Sequence, residues 1–118
     1  MVVQWLQEQG WQVIQAADTA ARTPGVDIIA RRPPEKELWI TVKGHPERSR
    51  YVQARHWFAG AVFDLVSYRN QGAERYLALA LPDGYTTYSA LAVKSGWLKK
   101  TMPFTILWVS ENGRVRSE

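Results

Sequence analysis

Residues 25–44 read GVDIIARRPPEKELWITVKG, and the fold turns on how they pair. Val26 to Arg32 and Glu37 to Gly44 are both extended in pattern. Between them Pro33-Pro34 cannot continue a ladder and, with Glu35-Lys36, makes a polar, hairpin-like connection. The two segments are therefore expected to pair antiparallel. On a pleated strand positions two apart share a face, so the Thr41 hydroxyl and the Lys43 ammonium emerge side by side. Asp27 interrupts an otherwise apolar strand, where a carboxylate competes with the ladder and resists burial. Pairing across the prolines carries Asp27 to the carboxyl-terminal part of the partner strand. One carboxylate, one hydroxyl and one ammonium then meet at one end of the sheet. A purely structural reading instead pairs Asp27 with Lys43 or Arg22 and lets Lys43 reach water.

Outward from this hairpin, helical and extended patterns alternate. Val2, Val3, Trp5, Leu6 and Gln9 recur at helical spacing before Gly10, and Trp11 to Ala17 reads as a strand followed by a turn-rich loop from Asp18 to Gly25. Ser49 is a candidate N-cap for a helix over Arg50 to Arg69. In that helix Tyr51, Ala54, Phe58, Val62 and Leu65 form one stripe, widened by Trp57, Ala61 and Phe63, which implies burial on much of its girth. Asn70-Gln71-Gly72 ends it. Arg75 to Leu81 is the next strand, a helical stretch within Thr86 to Lys100 is interrupted at Ser95-Gly96, Phe104 to Ser110 is a strand, and Arg114 to Arg116 a last one. The order α-β-β-β-α-β-α-β-β predicts an α/β domain with helices on the faces of a central sheet.

At 118 residues the chain reads as one domain able to bury roughly two thirds of its unfolded surface. With no cysteine, disulfides, thiolate metal sites and Cys nucleophiles are all excluded. The apolar run Tyr76 to Pro82 is far short of the ~20 residues that span a bilayer, and the first ten residues carry no basic segment, so a soluble, cytoplasmic protein without membrane contact is expected. Fifteen Lys and Arg against eleven Asp and Glu give a formal charge of +4, a mild bias toward polyanions. Between Lys43 and His56 that bias is concentrated: Lys43, Arg48, Arg50, Arg55 and both histidines stand with a single acid, Glu47. Such a cluster suits phosphates, and equally a solvated helix entrance. The two histidines lack further ligands at metal spacing. Trp5, Trp11, Trp39 and Trp108 fall in regular elements and are expected in the core.

The helix with Glu8, the strand GVDIIARR, the strand WITVKG and the helix carrying QARHW, in this order, resemble the PD-(D/E)XK nuclease superfamily over nearly the whole length. The resemblance implies a restriction-endonuclease-like fold, with a mixed central sheet flanked by helices. It implies Asp27 as the first metal-binding acid, Lys43 as the lysine that orients or activates the attacking water, and Gln53 as the glutamine of a QxxxY-type motif with Trp57 in the aromatic place. It further implies Glu8 as an acid presented from the first helix, Mg2+ or Mn2+ as cofactor, and DNA as substrate, with Arg22, Arg48, Arg50, Arg55 and His56 toward its phosphates. The chain departs from the family pattern where the second acid belongs, because Thr41 stands there. A neutral hydroxyl gives a divalent ion an oxygen but no charge, and one unit charge about 4 Å away is worth several kcal/mol even at an effective dielectric of ~20.

Among acids that could replace it, Glu47 lies in the following loop, Glu37 at the far end of the strand and Asp64 late in the helix, which leaves Glu8 as the expected helper, so that Asp27 and Glu8 form the metal set. On this reading Thr41→Glu is a gain-of-function change. Three functions stay open: a metal-dependent nuclease attacking a phosphodiester in line with activated water, a catalytically inactive nucleic-acid-binding or assembly subunit of the same fold, and an interaction protein whose helix from Tyr51 to Tyr68 mediates a homodimer.

Overall fold

A computed structural model describes residues 1–16, 26–46, 48–72 and 74–118. The loop expected from Asp18 to Gly25, with Arg22, lies outside the described residues, as does Glu47. In chain order the elements are α1 (Val2–Glu8), β1 (Gln12–Gln15), β2 (Ile28–Arg31), β3 (Glu37–Val42), α2 (Arg50–Gln71), β4 (Arg75–Pro82), α3 (Thr86–Lys94), α4 (Gly96–Thr101), β5 (Thr105–Val109) and β6 (Val115–Ser117). The break at Ser95-Gly96 is a full one, so the expected single helix after β4 is two, and the order gains an element.

One six-stranded mixed sheet runs β1-β2-β3-β4-β5-β6. The pairs β1-β2, β2-β3 and β5-β6 are antiparallel, whereas β3-β4 and β4-β5 are parallel. Both parallel crossovers cover the same face, as same-handed connections between successive neighbours must. On that face α2 and α3 pack over Ile29, Trp39, Leu77, Leu79, Leu81, Ile106 and Trp108. The opposite face, with Ile28, Ala30, Leu38, Ile40, Ala78, Ala80 and Leu107, receives Val2 and Leu6 of α1. In β4 the period-two alternation is one of size: leucines face α2 and alanines face α1. Because α1 has only seven residues, it leaves a cavity of about 680 Å³ at the carboxyl end of the parallel strands, lined by Val2, Ile28, Val42, Ala80, Leu81 and Val109 among others.

Two expectations for α2 need correction. Its buried residues are Ala54, Phe58, Ala61, Leu65 and Tyr68, but Tyr51 is 60% and Phe63 69% exposed. Among the described residues the sheet and α3 touch one side of α2, and Tyr51 and Phe63 lie off that side. Ser49 sits at the N-cap position in the left-handed region (φ 46, ψ 52) and makes no side-chain capping bond. Capping by a serine hydroxyl needs an extended N-cap residue, which that backbone is not. Of the tryptophans, Trp11, Trp39 and Trp108 are buried and Trp5 partly so, while Trp97 is 73% exposed.

The strand end carrying Lys43 is held from two sides. Its N–H donates to the Ala80 carbonyl at 3.0 Å, continuing the β3-β4 ladder one residue past β3. The buried Tyr88 hydroxyl donates to the Gly44 carbonyl at 2.8 Å, and Tyr88, Tyr85 and His45 contact edge to face in series. Burial first, then Tyr85, pushes the Tyr88 hydroxyl up to about 12. The folded value is raised, so this contribution to stability is complete below the unfolded tyrosine value near 10 and declines as pH rises from about 10 through 12. Tyr88→Phe is expected to lose about 1 kcal/mol at neutral pH and to flatten that alkaline decline, measured by urea denaturation at stepped pH.

Candidate functional site

The β2-β3 register pairs Ile28 with Ile40, and one further step sets Asp27 opposite Thr41. Asp27 shares its face with Ile29, and Thr41 and Lys43 share theirs with Trp39; all look toward α2. Asp27 lies just before β2, where its Oδ2 accepts a 2.8 Å bond from the Val42 N–H. The partly exposed carboxylate thereby takes a ladder donor that the ending strand would otherwise leave without a partner.

Thr41 is fully buried, and its hydroxyl donates to Asp64 Oδ2 at 2.8 Å. Lys43 Nζ stands 3.6 Å from the same oxygen. Lys43 therefore pairs with Asp64, and the purely structural reading that paired it with Asp27 is not what the fold builds. Asp64 is also the residue set aside from the sequence as too late in the helix. A long loop separates β3 from α2, so the first turns of α2 project beyond the sheet, and the chain returns over Thr41 only at Asp64. The signal in the sequence was that α2 carries a single acid, adjoining its buried stripe at Ala61, Leu65 and Tyr68.

One turn past Asp64, the Tyr68 hydroxyl lies against the Thr41 side chain and the Asp27 backbone. Burial first, then the charges of Asp64 and Asp27, raise its ionisation well above the ordinary tyrosine range, against a smaller opposing effect of these hydrogen bonds. The phenol stays neutral between two carboxylates and adds no third negative charge. Its ring meets Trp39 edge to face at 5.5 Å. Arg75 fixes this pair from behind, lying 3.7 Å from the Trp39 ring centroid and donating to the Tyr68 carbonyl at 3.2 Å.

The other sequence candidates stand elsewhere. Glu8 is exposed on α1 and lines a separate depression with Gln4, Trp5, Asn112 and Arg114. Val2 and Val3 at the start of α1 line the same cavity as Asp27, whereas Glu8 closes the other end of the helix and lines the separate depression. Gln53 is on the flank of α2 that carries Trp57 and Asp64, but eleven residues earlier, about 16 Å along the helix axis. Arg48, Arg50, Arg55 and His56 are exposed around the start of α2, and His56 points to the outer side of the helix, away from the sheet.

Among the described residues no three Asp, Glu, His or Cys side chains group as a metal site. The donor set is two carboxylates, each making its contacts here through Oδ2, with a second hard oxygen apiece. That is too sparse for a calcium or zinc cage. It suits Mg2+ or Mn2+, which keep several waters and take one or two carboxylates beside substrate phosphate.

No helix among the described residues is long and apolar enough to cross a membrane. No known family model matches the chain, and no curated protein matches it. Two solved structures share its fold. An fdxN element excision controlling factor protein from Anabaena variabilis superposes with a TM-score of 0.62 at 22% identity over 94% of this chain and 88% of that one. An XisH family protein from Nostoc punctiforme PCC 73102 gives 0.60 at 26% identity, over 94% and 89%.

Proposed function

We propose that this chain is a restriction-endonuclease-like nuclease that hydrolyses DNA phosphodiester bonds, with Asp27, Asp64 and Lys43 as its working groups. The observation that carries this reading is the Asp64 carboxylate 2.8 Å from the Thr41 hydroxyl, where the PD-(D/E)XK pattern expects its second acid. The acid comes from α2 instead of β3. Fold likeness to a protein described as an excision controlling factor supports a DNA-directed role.

Asp27 and Asp64 would hold Mg2+, which when bound polarises phosphate and lowers the pKa of water. The chain's own groups do the rest. Thr41 fixes the Asp64 carboxylate, Lys43 orients water and offsets developing negative charge, and the neutral Tyr68 lies beside both acids without adding charge. Arg48, Arg50 and Arg55, with Arg22, take backbone phosphates, and Gln53 contacts the nucleic acid rather than the reacting atoms.

The Lys43–Asp64 ion pair favours a second reading, because an ammonium already serves there as counter-ion. In that case the chain binds nucleic acid or assembles on it without turnover.

Calorimetric titration with Mn2+ and cleavage of plasmid and branched DNA separate the two. The nuclease reading expects heat of binding that Asp27→Ala abolishes, and cleavage that Lys43→Ala lowers about a hundredfold at unchanged Mn2+ affinity. Absence of heat at millimolar Mn2+, together with DNA retention that falls steeply with salt, would establish the binding subunit.

A further inference from the structure

From Gly84 to Ser110 the chain has no acidic residue, and the cations of that stretch, Lys94, Lys99 and Lys100, stand around one tryptophan, Trp97. Lys94 ends α3, Ser95 makes the break, and Trp97, Lys99 and Lys100 belong to α4. Trp97 is 73% exposed, and Lys94 and Lys100 are exposed as well, while Leu91, Ala92, Leu98 and Met102 pack against the core. Lys100 comes three residues after Trp97 and so shares its side of α4. Arg31, Arg32, Lys43 and Arg116 are held in ion pairs, but among the described residues no ion pair involves Lys94, Lys99 or Lys100. The patch therefore keeps its positive charge beside an open indole.

We infer that this patch binds single-stranded DNA, with an unpaired base stacked on Trp97 and the neighbouring phosphates taken by Lys94 and Lys100. Charge gives the class of occupant: cations without counter-ions on an acid-free stretch call for a polyanion. The exposed indole narrows it, because an unpaired base offers a flat face to a ring, whereas a duplex keeps those faces stacked inside. An anionic membrane fits less well. A helix that lies in a membrane surface needs a broad apolar face, and here Val93 and Trp97 are the large apolar side chains left exposed on two short helices. The patch is also separate from the arginines around the start of α2. The Tyr88 hydroxyl ties the first turn of α3 to Gly44, and the nine residues of α3 span about 14 Å, leading away from that strand end. Taking DNA rather than RNA as the strand rests on the nuclease reading above; the patch itself requires no cleavage.

Fluorescence anisotropy of labelled oligothymidylate, and of a duplex of the same length, tests this on the full chain without added metal. The native chain is expected to bind the single strand with an affinity that falls as salt rises. Trp97→Ala is expected to weaken that binding about tenfold and to leave the duplex unchanged, while Trp97→Phe, which keeps a ring, retains most of it. Lys94→Ala/Lys100→Ala is expected to flatten the slope of log affinity against log salt by about 1.4, two phosphates at about 0.7 each. All three positions are exposed, and circular-dichroism melts should confirm that the variants fold. Oligothymidylate that fails to bind, or that binds Trp97→Ala as tightly as the native chain, would overturn the proposal. An equal loss on the duplex, or tighter binding of oligouridylate, would do the same. So would phosphatidylglycerol vesicles that hold the native chain more tightly than oligothymidylate and release Trp97→Ala. Duplex retention by the Arg48, Arg50 and Arg55 cluster is read in the same assay, so the two surfaces can fail separately.

Discussion

Asp64→Asn is expected to weaken Mn2+ binding by at least about a hundredfold and to abolish DNA cleavage, with little change in melting temperature. Asparagine keeps the shape and an oxygen that still accepts from Thr41, so the packing of α2 on the sheet survives. What disappears is one unit of charge. Near a divalent ion that charge is worth several kcal/mol even at an effective dielectric of ~20, and each 1.4 kcal/mol is about a factor of ten. The loss of the Lys43 partner adds little, because that pair is partly open to water, where such contacts contribute about 0–1 kcal/mol. Calorimetry and a cleavage assay run beside a thermal melt decide the matter. Native metal affinity in the asparagine variant would mean that Asp64 is structural and that the acid missing from β3 has no replacement here.

Thr41→Glu is expected to destabilise the fold by roughly 3–5 kcal/mol, the range for an uncompensated buried charge. Thr41 has no exposed surface and already contacts Asp64. A glutamate there must find room in a filled site and place its charge against two existing carboxylates. By family pattern alone this change restores an acid and creates cleavage; the geometry predicts the reverse, because Asp64 occupies that place. Combining it with Asp64→Thr moves the acid to the strand and the hydroxyl to the helix, and should recover much of the lost stability in urea denaturation. A single Thr41→Glu variant that melts like the native chain and cleaves faster would show that the Asp64 carboxylate does not fill the second acid's role.

The hairpin was legible in the sequence because each of its determinants is local. Pro33-Pro34 fixes the turn, and period-two alternation fixes which residues face α2, so the placing of Asp27 opposite Thr41 follows from register alone. Asp64 was not legible in the same way. Its place depends on how far α2 slides along the sheet, which the loop between Lys43 and Ser49 and the packing of Phe58, Leu65 and Tyr68 determine together. The misjudged Phe63 has the same origin: an amphipathic count shows that a helix is apolar all round without showing which side meets the sheet. Glu8 was chosen from the family pattern, but it is the start of α1, not its Glu8 end, that borders Asp27.

Asp27 belongs to the sheet and Asp64 to the helix laid over it, so the two acids share no covalent neighbourhood. A small sliding of one layer against the other would separate them while every strand pairing stayed intact. Any catalytic competence should therefore fade under gentle stress, such as low denaturant or moderate warming, well before the secondary structure melts. Inactivation and unfolding would then trace two distinct curves.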